Sequence, residues 1–105
     1  MDKLATLKEI LEQDPKNPLA RYGLAMELAG RGETEAALTE FRRLLADHPD
    51  YTAGYFMEAQ TLAKAGREAD AKQELVDGIA CARRTGNQHA QREMQAMLDE
   101  LEIPE

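Results

Sequence analysis

Few side chains in this 105-residue sequence are of types that do chemistry, and their spacing argues against most of it. His89 and Glu93 stand four apart, so a helix would carry both on one face. An imidazole beside a carboxylate can begin a metal site. Two ligands with no third in register read instead as an ion pair in a capping turn. Cys81 is the only cysteine, which leaves no disulfide framework and no paired-thiol motif. No histidine stands near it in sequence to draw off its proton, so it reads as a packed, inert thiol. His48 precedes Pro49 and fits a helix end, where the dipole favours a basic group. Gly30-Arg31-Gly32 lacks the Gly-Lys pair of a phosphate-binding loop and reads as a turn between helices. Arg42-Arg43 and Arg83-Arg84 read as solvated helix faces. With no nucleophile, base and oxyanion donor converging, the expectation is a protein without catalysis, cofactor or metal.

The elements that carry these residues follow from composition and periodicity. A chain of 105 residues makes one domain, long enough to bury about two-thirds of its unfolded surface. It is rich in Ala, Leu, Glu and Arg, has no Trp and is only 5% aromatic, which predicts an all-α protein. The net charge of -7 disfavours binding to nucleic acid, because an acidic surface repels phosphate backbones. No apolar run has the length of a membrane span, and Met1-Asp2-Lys3 does not open a signal-peptide core, so a soluble, cytoplasmic protein is expected.

Apolar residues at spacings of three and four predict six helices. The first, over 3–13, carries Leu4, Leu7, Ile10 and Leu11 on one stripe, and Asp14-Pro15 stops it. Asn17-Pro18, a cap followed by a proline at the first helical position, starts the second, about 18–30. That helix has two stripes, Leu24, Ala25 and Leu28 beside Tyr22, Met26 and Ala29, so it must touch neighbours on more than one side. The third, about 34–47, bears Ala37, Leu38, Phe41, Leu44 and Leu45 and ends at His48-Pro49-Asp50. The fourth, about 52–65, has Tyr55, Ala59 and Leu62 flanked by Phe56 and Ala63, and Gly66 closes it. The fifth, about 68–84, presents Ala71, Leu75, Gly78, Ile79 and Ala82. Gly86-Asn87 then separates it from the sixth, about 88–102, with Ala90, Met94, Met97, Leu98 and Leu101. Connections this short make successive helices antiparallel neighbours.

Half of this pattern is an echo of the other half. Gly32 matches Gly66, Ala37 matches Ala71, Phe41 matches Leu75 and Leu45 matches Ile79, each pair 34 apart. Tyr22 with Phe56, Ala25 with Ala59, Leu28 with Leu62 and Ala29 with Ala63 keep the same offset, and backwards Pro49 falls on Pro15 and Leu45 on Leu11. A helix-turn-helix unit of 34 residues resembles the tetratricopeptide repeat (TPR) family. Leu24, Ala25, Leu28, Ala37, Phe41 and Pro49 fit that pattern in the first full unit, with Arg21 where an aromatic is usual. Tyr55, Ala59, Leu62, Ala71 and Leu75 fit it in the second, with Glu58 in place of Leu and Arg83 in place of the closing proline. The small residues have a packing reason, since alanines let paired helices cross closely. Gly78 stands where Leu44 stands one unit earlier, and its cost in helix propensity, up to about 1 kcal/mol, implies close approach by the last helix.

The resemblance implies a right-handed α-solenoid of antiparallel helix pairs. Residues 3–16 form a half repeat, 18–50 and 52–85 two repeats, and 87–102 a capping helix. It also implies a scaffold that binds a peptide or protein segment of unknown identity in a concave groove lined by the first helix of each pair. Carried over, that face holds Tyr22, Met26 and Ala29, then Phe56, Gln60 and Lys64, then Met94 and Met97. Two-sided burial alone also demands such residues on the second and fourth helices, and both readings stay open. The Lys, Asn and Arg clamp with which some members hold a chaperone's C-terminal carboxylate is not apparent on these faces. An apolar or amphipathic helical ligand is the expectation. Single apolar stripes on the two end helices favour a monomer. The alternative is a self-assembly module stacking end to end through Leu4, Leu7 and the methionines of the last helix.

Overall fold

The computed structural model describes residues 2–104, and among them all regular structure is helical. Six helices follow in order: α1 (Lys3–Gln13), α2 (Pro18–Gly30), α3 (Thr34–Asp47), α4 (Thr52–Lys64), α5 (Glu68–Thr85) and α6 (Gln88–Glu102). Each starts where the apolar periodicity places it, and the ends differ from expectation by one residue at most. The chain divides into two compact units, Met1–Tyr51 and Thr52–Glu105, and the division falls where one 34-residue unit gives way to the next.

The helix ends show the repeat more sharply than the side chains do. After α2, Glu33 N–H donates to Leu28 C=O at 2.9 Å, and after α4, Arg67 N–H donates to Leu62 C=O at 2.9 Å. Both closures need a left-handed residue between, and Gly32 (φ 79°) and Gly66 (φ 80°) supply it at no steric cost. The α1 and α3 ends form a second matched pair. Asp14 N–H donates to Ile10 C=O and His48 N–H to Leu44 C=O, both at 2.8 Å. Asn17 N–H to Asp14 C=O and Tyr51 N–H to His48 C=O then turn the chain, at 3.1 and 3.0 Å. The proline in each of these turns, Pro15 and Pro49, forces the stop. The starts of α2 and α6 are capped as the sequence implies. Asn17 Oδ1 accepts from Ala20 N–H at 2.9 Å, and Asn87 Oδ1 from Ala90 N–H at 3.1 Å.

In the first unit α2 packs against both α1 and α3. Leu11, Ala20 and Leu24 are buried, with Leu4, Leu7 and Leu28 packed around them. Ala25, Ala37, Leu38, Phe41 and Leu44 are wholly buried as well. In the second unit α5 packs against α4 and α6, and α6 also touches α4. Its core is Ala59, Leu75, Ile79, Ala82, Met94 and Leu98. Gly78 sits at its tightest point. A Cβ built there would lie 2.5 Å from Met94 Sδ and 2.7 Å from Tyr55 Cβ, closer than real contacts allow. The close approach inferred from Gly78 is therefore made from two sides, by α6 and by α4.

Candidate functional site

The second unit contains an open groove of about 420 Å³ between α4 and α6, lined by Phe56, Gln60, Glu93, Ala96, Met97 and Glu100. Phe56 and Gln60 are one turn apart on α4, so they share a face. Glu93, Ala96 and Glu100 stand three and four apart on α6, one position before Met94, Met97 and Leu101. They therefore form the edge of the apolar stripe that buries α6. Phe56 and Met97 are half-buried, packed against the core below. Gln60, Glu93, Ala96 and Glu100 are exposed. The floor is apolar and the α6 rim carries two carboxylates.

Three of the residues expected on this face, Phe56, Gln60 and Met97, line the groove. Met94 requires a correction. It is 0% exposed and lies against Gly78, so it is core and presents nothing to a ligand. The cause is register: Met94 points at the gap left by Gly78, and Met97, nearly one turn on, points out of it. Lys64 is exposed in the last turn of α4 and lies outside the groove lining. Glu93, Ala96 and Glu100 were not expected here. Their signal was available as the i, i+3, i+7 line beside the methionine stripe.

In the first unit Tyr22, Met26 and Ala29 are half-buried on α2. The Tyr22 ring meets that of Tyr51, with centroids 5.4 Å apart and planes tilted by 45°. Burial, and then the neighbouring Tyr51, push the Tyr22 hydroxyl above its ordinary pKa. Arg21, which replaces the expected aromatic, is also accounted for. Its guanidinium pairs with the buried Glu40 carboxylate on α3 and donates to Pro15 C=O at 2.8 Å. Arg43 reaches the other Glu40 oxygen at 3.4 Å. The charged head thus ties α2 to α3 and to the preceding turn.

The other reactive residues take structural places. His89 Nε2 meets Glu93 Oε1 one turn on, and His48 Nε2 donates to Lys16 C=O at 2.7 Å from the end of α3. The Cys81 thiol is buried, 3.6 Å from Thr52 Oγ1. Among the described residues no group of three His, Cys, Asp or Glu side chains is placed to hold a metal ion. No helix of the structure is long and apolar enough to cross a membrane.

The tetratricopeptide repeat family model matches residues 4–55. A TPR repeat-containing protein of Pseudomonas aeruginosa is 30% identical over 96 residues, 91% of this chain and 91% of that protein. This chain belongs to the tetratricopeptide repeat family. Among solved structures, a tetratricopeptide repeat domain protein from Salinibacter ruber is 31% identical, with a TM-score of 0.80 over 85% of this chain and 90% of its own. A protein from Bordetella parapertussis is 30% identical, with a TM-score of 0.84 over 96% of this chain and 88% of its own. Tetratricopeptide repeat folds commonly mediate protein–protein interaction and are generally scaffolds without catalysis of their own.

Proposed function

We propose that this protein is a monomeric, cytoplasmic interaction scaffold, with no reaction of its own, that holds a segment of a partner protein on the first-helix faces of its repeats. On this reading residues 3–16, 18–50, 52–85 and 87–102 serve as half repeat, two repeats and closing helix of one domain. The α4–α6 groove is the observation that carries it: a half-buried aromatic and a methionine form the floor, and polar side chains form the rim. That combination suits an adaptable peptide surface. The Tyr22 and Met26 face of α2 is the corresponding surface of the first unit. Tyr22 is partly committed to Tyr51 there, so Phe56 and Met97 are the stronger anchors.

The test is to select binders from a displayed peptide library and map the best one on isotope-labelled protein by NMR. Shifts should concentrate at Phe56, Gln60, Ala96 and Met97, with a second set at Tyr22 and Met26. Shifts confined to α3 and α5 would refute the assignment. Light scattering over a wide concentration range should give the monomer mass throughout, and concentration-dependent growth would favour the self-assembly reading.

A further inference from the structure

We infer that the α4–α6 groove selects a cationic amphipathic helix, with Lys or Arg at positions i and i+7 flanking apolar residues at i+3 and i+4. This rests on the groove being the binding surface proposed above, and adds the chemistry of its occupant. The charged residues that line the groove, Glu93 and Glu100, are both acidic. Glu93 is shared with His89, and among the described residues no basic side chain pairs with Glu100. Lys64, the basic residue in the last turn of α4, lies outside the lining. The chain as a whole carries a net charge of -7, which adds a favourable long-range field for a basic partner.

Spacing selects the ligand's conformation. Glu93 and Glu100 are seven residues apart on α6, two turns, or about 10.5 Å along the axis. A ligand helix repeats that distance at i and i+7 on one face, and its i+3 and i+4 side chains then fall over Ala96, Met97 and Phe56. An extended segment covers about 10 Å in three residues. Side chains three apart on a strand point to opposite faces, so two cations could not meet both carboxylates at once. The groove thus matches a helix laid along α6, with apolar contact for affinity and two ion pairs for selection.

The test uses a stapled helical peptide with Lys at i and i+7 around Leu at i+3 and i+4. Its two controls have Glu for both Lys, or Ser for both Leu. Fluorescence anisotropy should show the lysine peptide binding about tenfold or more tighter than the glutamate peptide, because two attractive contacts become repulsive. The Glu93→Gln/Glu100→Gln variant should reduce that preference severalfold, and so should raised salt. Both glutamates are exposed, so this variant does not threaten folding. Ala96→Trp, an uncharged bulky side chain at an exposed position, should block both charged peptides. Equal binding of lysine and glutamate peptides, blocked by Ala96→Trp, overturns the charge selection and leaves the groove standing. Failure of the lysine peptide to bind overturns the inference. Peptide binding indifferent to Ala96→Trp overturns both the inference and the groove.

Discussion

Replacing Gly78 by Ala sets two effects of opposite sign against each other. Gly78 lies inside α5, so alanine gains about 0.8–1 kcal/mol of helix propensity. A chain in which α5 packed loosely would be stabilised by that amount. The structure instead puts the new Cβ 2.5 Å from Met94 Sδ, 2.7 Å from Tyr55 Cβ and 3.3 Å from Tyr55 Cγ. The Met94 sulfur is part of a flexible side chain, but the residue is wholly buried and has little room to withdraw. Tyr55 Cβ is fixed to the α4 backbone and yields only if α4 moves. Overpacking of this kind costs about 1–3 kcal/mol, and two hard contacts place Gly78 at the upper end. The net expectation is a loss of about 2 kcal/mol, which lowers the melting temperature by roughly 8 °C or more in a domain of this size. Urea unfolding followed by circular dichroism measures it as a lower midpoint with an unchanged slope. A cycle with Met94→Ala separates the two contacts, since the Gly78→Ala penalty should shrink, without vanishing, in the Met94→Ala background. A Gly78→Ala protein as stable as the parent, or more so, would refute the close approach of α4 and α6 to α5.

Other substitutions follow from the same packing. Gly30→Ala adds a Cβ with nothing within 4 Å, and should raise stability by about 0.5–1 kcal/mol in the same urea assay. Gly23→Ala meets only the end of the Leu7 side chain at 3.1 Å, which can swing aside, so it should be neutral or mildly stabilising, and a loss like that of Gly78→Ala would contradict this. Arg21→Ala leaves the Glu40 carboxylate, whose side chain is 11% exposed, with the more exposed Arg43 still beside it at 3.4 Å, and should cost about 2 kcal/mol. The apolar double replacement Arg21→Met/Glu40→Leu should recover most of that loss, and a cost below about 1 kcal/mol for Arg21→Ala would mean that the pair is solvated. Burial, the first cause in each, raises the hydroxyl pKa of Tyr22 and Tyr55 above 10.0, helped by Tyr51 beside Tyr22 and by Cys81 and Glu74 near Tyr55. The unfolded chain then loses these protons first, so stability should fall as pH rises through 10 towards the folded values. Tyrosinate absorbance should show two hydroxyls titrating late in the native protein and normally in urea.

Much of this fold is legible in the sequence, because its signals are local. Asn17, Pro18, Gly32, Gly66, Pro49 and Asn87 act on backbone atoms within a few residues of themselves, so their effect is written beside them. The 34-residue echo added that the same unit is built twice. The groove was less legible. Analogy of helix face places Phe56, Gln60 and Met97, which line the groove, but sets Met94 on the same face, although it is core. Met94 and Met97 lie on one stripe, and periodicity places both toward α5 without saying which enters the gap at Gly78. Arg21 shows the same limit, since its departure from the repeat pattern was visible and its compensation by Glu40, nineteen residues on, was not.

The sequence by itself determined six helices, their caps and stops, the repeat unit and the family, because each depends on spacing along one chain and on short-range sterics. Tertiary structure decided how α6 is rotated against α4 and α5. That rotation turns Glu93, Ala96 and Glu100 from one edge of an amphipathic helix into one wall of a groove. The physical reason is that an apolar stripe specifies which side of a helix is buried, to within about a residue's turn. The last tens of degrees are set by the close contact of Gly78 with Tyr55 and Met94, three residues on three different helices.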